Sequence, residues 1–361
     1  MLKRSWVTVN LRKVKQNYKE FKKLIAPSQK IMAVVKANAY GHGDIKVSVA
    51  LEEIGCSDFA VSNLNEAVRL RRGGVKGNVL ILGYTPINAI KTVKKYNLIQ
   101  TIISADYLNK ILLLGYKISV QFKIETGMNR LGLPPNNTTK NLIENATQKL
   151  NVTGIFTHLS CADESDKTDF TSKQIQTFKE FASSLKHLNF TYVHYLNSAG
   201  ALFFSDGFST HVRLGISLYG ISPRKNHALP SSVKPVLEWK SVIVMLKTIN
   251  KGESVSYGAT FKATKKTVVA TVCTGYADGF SRTLSNGGLV IVNGKRAKVI
   301  GRVCMDQFMI DVSHIKNVKV GDIVTIVGKD LTACDMAKKL KTIPYEILCR
   351  ITSRVHRKYI N

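Results

Sequence analysis

The chain is poor in acidic side chains, in proline and in closely spaced cysteines. Its 24 Asp and Glu face 53 Lys and Arg, a formal charge of +29 over 361 residues. With 8 Pro, 25 Gly and 44% hydrophobic residues it has the composition of a folded soluble protein, which excludes a disordered or fibrous chain. Six cysteines (Cys56, Cys161, Cys273, Cys304, Cys334, Cys349) are scattered without a Cys-x-x-Cys pair. That spacing argues against a zinc or thioredoxin-type site, so reduced thiols and no metal are expected. No apolar run approaches the roughly 20 residues of a membrane span. The opening Met1-Leu2-Lys3-Arg4-Ser5-Trp6 leads into an alternating strand rather than a signal-peptide core. A cytoplasmic chain with no membrane partner is therefore expected. The shortage of acid raises nucleic-acid binding, but lysines recur singly or in pairs along most helical segments and form no block. The charge reads as a solvated surface, with no nucleic-acid partner.

The first two-thirds alternates short β-rich runs with helix-period segments, the pattern of a parallel sheet with crossover helices. Asn10 can cap a helix in which Leu11, Val14, Tyr18, Phe21 and Ile25 recur at three and four. A strand then ends at Lys36, and further strands are expected at 58–61, 79–82, 99–103, 118–124, 152–158, 192–196 and 212–216. Helices are expected at 65–72, closed by Gly73-Gly74, and at 138–150 and 171–186. Eight strand-helix units in about 220 residues predict a (β/α)8 TIM-type barrel. From about Pro235 the runs 241–249, 267–273, 288–292 and 298–300 predict a mainly β domain. Val292-Asn293-Gly294-Lys295 is a hairpin signal, residues 319–326 read as another hairpin, and a late helix is expected at 332–341. The fold class is α/β plus β, with domains 1–234 and 235–361 and the first strand open to pairing with the second domain.

In such a barrel, chemistry sits at the carboxyl ends of the strands. Lys36 closes the apolar run Ile31-Met32-Ala33-Val34-Val35, Lys123 and Glu125 end the strand at 118–124, and His158 ends the one at 152–158. Asn197-Ser198 follows the strand at 192–196, while Arg213 and Gly215 lie in the last one. Singly, each has a packing explanation: Lys36 could snorkel to water, His158 could be a satisfied core histidine, Arg213 could sit in a structural ion pair. Together on one rim they point to chemistry. A lysine forced into a dry strand end has a depressed pKa and can form a Schiff base with an aldehyde such as that of pyridoxal 5′-phosphate (PLP). Arg213-Leu214-Gly215-Ile216 and Ser198 offer the donors that a phosphate and a pyridine nitrogen require.

Eight motifs, AVVKANAYGHG (33–43), KIETGMNRLG (123–132), FTHLSCADE (156–164), NSA (197–199), RLGISLYG (213–220), SYGATF (256–261), GYADG (275–279) and GRVCMDQ (301–307), resemble in order and spacing those of the alanine racemases. The resemblance implies a PLP barrel followed by a β domain, a homodimer with shared active sites, and interconversion of L- and D-alanine that supplies D-alanine for peptidoglycan. It makes Lys36 the cofactor-bearing lysine and one acid/base group, and Tyr257 of the partner subunit the other. It makes Arg213 the pyridine-nitrogen partner and His158 the bridge between Arg213 and that tyrosine. Phosphate contacts fall to Tyr40, Ser198, Gly215 and Ile216. Arg130 holds the cofactor's phenolic oxygen and the substrate carboxylate, with the partner subunit's Met305 as second donor. Lys123 keeps open the carbamylation found in many members, and Tyr276 and Asp306 line the substrate entrance. Decarboxylases on a similar barrel are the nearest alternative; they would need a C-terminal cysteine constellation and lack the Tyr257 motif.

One position departs from the resemblance. Ser353, in Ile351-Thr352-Ser353-Arg354-Val355, stands where the family usually has tyrosine. Losing the ring predicts a pocket that takes serine or other small polar amino acids better than a typical member does. The measurement is kcat/KM for both amino acids; a preference for alanine of about a thousandfold or more would refute it, being beyond what one small group in a pocket ordinarily discriminates.

Overall fold

The computed structural model describes residues 4–225 and 227–361 and divides the chain into two compact units. One unit contains residues 13–39 and 44–234; the other contains the chain up to Arg12, Tyr40–Gly43 and Pro235–Asn361.

The first unit is the barrel. Its strands are numbered after β1 (Ser5–Asn10), which belongs to the other unit: β2 (Lys30–Val34), β3 (Asp58–Val61), β4 (Asn78–Ile81), β5 (Ile99–Ile102), β6 (Ser119–Lys123), β7 (Asn151–Phe156), β8 (Tyr192–His194) and β9 (His211–Leu214). All adjacent pairs run parallel, in the order β8-β7-β6-β5-β4-β3-β2-β9. Backbone bonds Thr210 N–H to Val193 O (2.8 Å) and Arg213 N–H to Leu196 O (2.9 Å) link the two ends of that order. Parallel strands are covered on both faces, which is why β2, β3 and β4 read as near-continuous apolar runs after their first residue. Gly154 lets β8 approach β7: a Cβ there would lie 2.0 Å from Tyr192 O.

The two ends of the barrel are built differently. Asp58, Asn78, Tyr192 and His211 are the first residues of β3, β4, β8 and β9 and meet at the amino end. Tyr192 Oη donates to Asp58 Oδ1 at 2.7 Å, Asn78 Nδ2 at 3.0 Å and Ser57 Oγ to Oδ2 at 2.5 Å, with His211 Nε2 at 3.8 Å. Burial opposes ionisation of Asp58, but these hydrogen bonds outweigh it and hold the carboxyl well below the ordinary carboxylate range. The polar residues of the carboxyl end form the candidate site.

The second unit is mainly β, as expected from the sequence. β1 pairs antiparallel with β10 (Leu237–Ile249), Val7 opposite Trp239, and parallel with the strand His356–Ile360. Trp239 is fully buried and its indole N–H donates to Ser5 Oγ at 2.9 Å. Two readings of the sequence need correction. Residues 319–326 are no hairpin: Asp322 Oδ2 accepts from Lys319 N–H at 2.9 Å and Gly321 has φ +94°, so 319–322 is a turn leading into one strand, Ile323–Val327. The late helix expected at 332–341 is present as Ala333–Leu340, but it is not the last: a second helix that the sequence reading missed, Pro344–Cys349, follows the break at Lys341 (φ +53°), with Pro344 in its first turn. No helix among the described residues is long and apolar enough to cross a membrane.

Candidate active site

Arg213 lies at the carboxyl end of β9, 3% exposed, opposite Met32 of β2. A buried cation is expected to sit against a carboxylate. Arg213 instead is held by neutral acceptors. Nη1 donates to His194 Nδ1 at 2.6 Å and His194 O at 3.2 Å; Nη2 donates to Thr157 O at 2.8 Å, His158 Nδ1 at 3.1 Å and Tyr195 O at 3.2 Å. Burial lowers its pKa to about 9, which leaves the group a cation at neutral pH. All these bonds use the terminal nitrogens, so Nε–H remains as a donor.

This arrangement settles both histidines. A guanidinium has no acceptor, so each Nδ1 facing it must be a bare lone pair, and each neutral ring carries its hydrogen on Nε2. At His194, Nε2–H donates to Gln121 Oε1 at 2.8 Å, and the ring stacks on Phe156 at 4.9 Å. At His158, Nδ1 faces the arginine and Nε2–H is left as the donor. Burial first, and then the charge of Arg213, holds both imidazoles well below the ordinary histidine value.

Four cationic side chains act on His158: Arg213, Arg130, Lys36 and Lys123. Lys123 ends β6 and is buried; burial, then Arg130 and Arg213, lower its amine to about 8 against the pull of Glu125. The Glu125 carboxylate is occupied with the loop after β6. Burial raises its pKa, but backbone N–H groups of Asn129, Gly127, Met128 and Arg130 bring it below the ordinary value. That nest shapes the turn presenting Arg130, which is exposed. After β8, Asn197 Oδ1 caps the helix Ser198–Phe203 by accepting from Gly200 N–H at 2.8 Å. Ser198 Oγ accepts from Gly215 N–H at 2.9 Å, which leaves the serine's own hydrogen to donate. Ile216 starts the 3-10 turn Ile216–Tyr219, where leading amides have no partner within the turn.

Lys36 follows β2 and is half-buried, less than its apolar run predicts. Ala37, Asn38, Ala39 and Tyr40 all have φ between 52° and 55°, a left-handed turn of four non-glycine residues. Such a conformation costs roughly 1–2 kcal/mol per residue. The bonds that secure the turn include Ala39 N–H to Val35 O (2.8 Å), Asp44 N–H to Asn38 Oδ1 (3.1 Å) and Ala37 N–H to Glu66 Oε1 (2.8 Å).

The remaining expected site residues belong to the other unit. Tyr40 is buried there, its ring 5.9 Å from that of Tyr345. Tyr257, Tyr276 and Met305 are 71%, 42% and 52% exposed, far more than large apolar side chains usually are. They share one neighbourhood: Ser256 Oγ lies 3.4 Å from Cys304 Sγ, and Tyr276 N–H donates to Cys304 O at 3.0 Å. Asp306 accepts from Arg354 Nη2 at 2.6 Å. Gly275 is required there, since a Cβ would come within 2.2 Å of Met305 O.

The comparisons with known proteins match both units. Residues 9–223 fit the family model "Alanine racemase, N-terminal domain" and residues 236–359 the model "Alanine racemase, C-terminal domain". The chain is 40% identical over 365 residues to an alanine racemase of Desulforamulus reducens, covering 98% of each. The chain belongs to the alanine racemase family. A solved alanine racemase of Clostridium difficile superposes with a TM-score of 0.94 at 36% identity, over 100% of this chain and 96% of that one. One from Bartonella henselae, with covalently bound pyridoxal phosphate, gives 0.89 at 30% identity, over 99% and 100%. These matches support the racemase reading over the decarboxylase alternative and carry the (β/α)8 barrel and β domain with it.

Reading this racemase from sequence alone missed four polar residues that shape the site. His194 and Gln121 lie inside strands and their partners are distant in the chain. Gln174, 1% exposed, accepts from Ser160 N–H at 3.0 Å and donates to His158 O at 3.4 Å. A glutamine on the same helix face as Thr171, Ile175 and Phe178 was the available signal. Glu66 is the fourth.

The two neutral histidines set a pH dependence. Unfolded, each takes up a proton near pH 6.5; folded, only well below it. Between those values the unfolded state binds more protons, so stability falls as pH falls. The denaturant midpoint is expected to be level from about pH 7 to 8 and to drop below about 6.5; a midpoint that climbs on acidification over that range would contradict the assignment.

Proposed function

We propose that this alanine racemase holds PLP on the Lys36 amine and moves the substrate's Cα proton between two faces with Lys36 and Tyr257 of the partner subunit. The observation that carries the reading is the group of Lys36, Lys123, Arg130 and Arg213 whose charges act on His158, with the nearby carboxylates of Glu125 and Glu66 already engaged by backbone amides. An electropositive, partly dry site of this kind fits a ligand that brings a phosphate, and a substrate that brings a carboxylate. When bound, PLP supplies an electron sink that acidifies the Cα–H bond.

The chain's own groups do the rest. Arg213 Nε–H would be the donor to the cofactor's pyridine nitrogen, and a guanidinium that keeps its proton would limit electron withdrawal there, favouring racemisation over competing chemistry. The Ser198 hydroxyl, the backbone at Gly215 and Ile216, and the Tyr40 hydroxyl serve the phosphate. Arg130 orients the substrate carboxylate and the cofactor's phenolic oxygen, together with the partner subunit's Met305. Tyr276 and Asp306 line the entrance from the partner subunit. His158 Nε2–H donates to the oxygen of the partner's Tyr257 and favours its phenolate. Lys36 Nζ accepts or returns the proton on one face while that phenol returns or accepts it on the other, so neither enantiomer is privileged. With an amine at about 8, Lys123 has an uncharged fraction able to take up CO2, and the resulting carbamate would buttress Arg130. The exposure of Tyr257, Tyr276 and Met305 supports a second copy of the chain as the group that covers them. The product serves peptidoglycan precursors in the cytoplasm.

The serine-tolerant reading retains support. Ser353 is exposed, between Thr352, which donates to Asp278 O at 3.1 Å, and Arg354, which is bound to Asp306.

Complementation between two inactive variants tests the shared site. Lys36→Ala and Tyr257→Phe chains, each deprived of one proton-transfer group, should lose on the order of 10²-fold or more in kcat. Co-expressed, random pairing makes half the dimers hybrid with one intact site each, so roughly a quarter of wild-type activity should return. No recovery, despite hybrid dimers shown by mass spectrometry, would overturn the shared two-base site.

A further inference from the structure

Glu66 does something that its own helix does not require. The helix Leu64–Arg72 is capped by Asn63, whose Oδ1 accepts from Glu66 N–H at 3.0 Å. A glutamate at this third helical position ordinarily returns the bond to the backbone N–H of the cap residue. Here the carboxylate reaches past the cap. Its Oε2 accepts from Ser62 N–H at 2.7 Å and its Oε1 from Ala37 N–H at 2.8 Å.

Ser62 follows β3 and Ala37 follows Lys36, so one carboxylate ties together the exits of two strands that pair in register at Val34 and Ala60. The bond to Ala37 falls on the peptide joining it to Lys36. That peptide fixes the direction in which the Lys36 side chain departs, and it opens the left-handed turn. Left-handed conformations in L-residues occur as isolated residues, so a run of four needs support from outside itself. Among the bonds that secure the turn, this one comes from a charged group and from beyond residues 35–44. A charge-assisted bond is about twice as strong as a neutral one.

We propose that Glu66 is a positioning residue for Lys36: by holding the Lys36–Ala37 peptide in the left-handed turn, it aims the amine that bears the cofactor. Glu66 touches neither substrate nor cofactor in this role. The proposal rests on the reading of Lys36 given above.

The test compares Glu66→Gln with Asn63→Ala in the full-length chain. Glutamine keeps the size but offers one oxygen for two amides, whereas Asn63→Ala weakens the same helix without removing the bond to Ala37. Glu66→Gln should raise amide hydrogen exchange in the 36–41 segment about tenfold in the cofactor-free protein and leave the rest of the barrel unchanged. It should also lower kcat for L-alanine by on the order of 10- to 100-fold with KM within about twofold, as expected of a misaimed reacting group. Asn63→Ala should leave kcat at the wild-type value. Wild-type exchange and kcat in Glu66→Gln would overturn the proposal, as would an exchange increase spread over the whole barrel. Borohydride reduction of the wild type separates the two readings. Pyridoxyl found on Lys36 while Glu66→Gln behaves as wild type sinks the positioning role alone, and its absence from Lys36 sinks the parent reading.

Discussion

A buried guanidinium with no carboxylate partner among the described residues organises this site. Arg213 gives its terminal hydrogens to two imidazole nitrogens and three backbone carbonyls, all neutral. Because the guanidinium can only donate, the tautomers of His158 and His194 follow from the arginine, and the amide of Gln121 follows from His194. The charge left uncompensated is what makes the barrel mouth attractive to an anion. Added to burial, and at Lys123 to the charge of Arg130, it helps to lower the pKa of Lys123 and to keep His158 neutral.

Replacing a neutral acceptor by a carboxylate would stabilise the buried cation and cancel that field. The chain does the reverse at the opposite end of the barrel. There Asp58 is buried among Tyr192, Asn78, Ser57 and His211, and its charge is spent on holding strand ends together. One polar cluster ties the strand ends of the cylinder and the other forms the candidate site at the carboxyl end, which is the division expected of a (β/α)8 barrel. The β domain contributes differently, by displaying Tyr257, Tyr276 and Met305 outward on turns shaped by Ser256 (φ +69°) and Gly275.

Much of this was legible in the sequence because it depends on local pattern. Apolar runs bounded by turn residues gave the eight barrel strands to within a few residues, and a polar group at the end of such a run marked Lys36, Lys123, His158 and Arg213 as unusual. Residues whose role depends on a distant partner left no local trace. His194 looked like an ordinary strand residue, and Glu66 like an ordinary member of the helix expected at 65–72, although its carboxylate acts 29 residues away. The left-handed turn was illegible for the same reason, since Ala37, Asn38 and Ala39 carry no glycine to announce it. The reading of 319–326 failed where Val-Gly-Asp suited a hairpin turn, but the strand it led to already had neighbours in β10 and Leu289–Val292.

The neutrality of the groups around Arg213 is open to direct measurement. Nitrogen-15 NMR of the imidazole side chains at neutral pH reports both charge and tautomer for each histidine. The account predicts that His158 and His194 are uncharged, with hydrogen on Nε2 and a bare Nδ1 turned to the guanidinium. An imidazolium at either position, or hydrogen on either Nδ1, would contradict it.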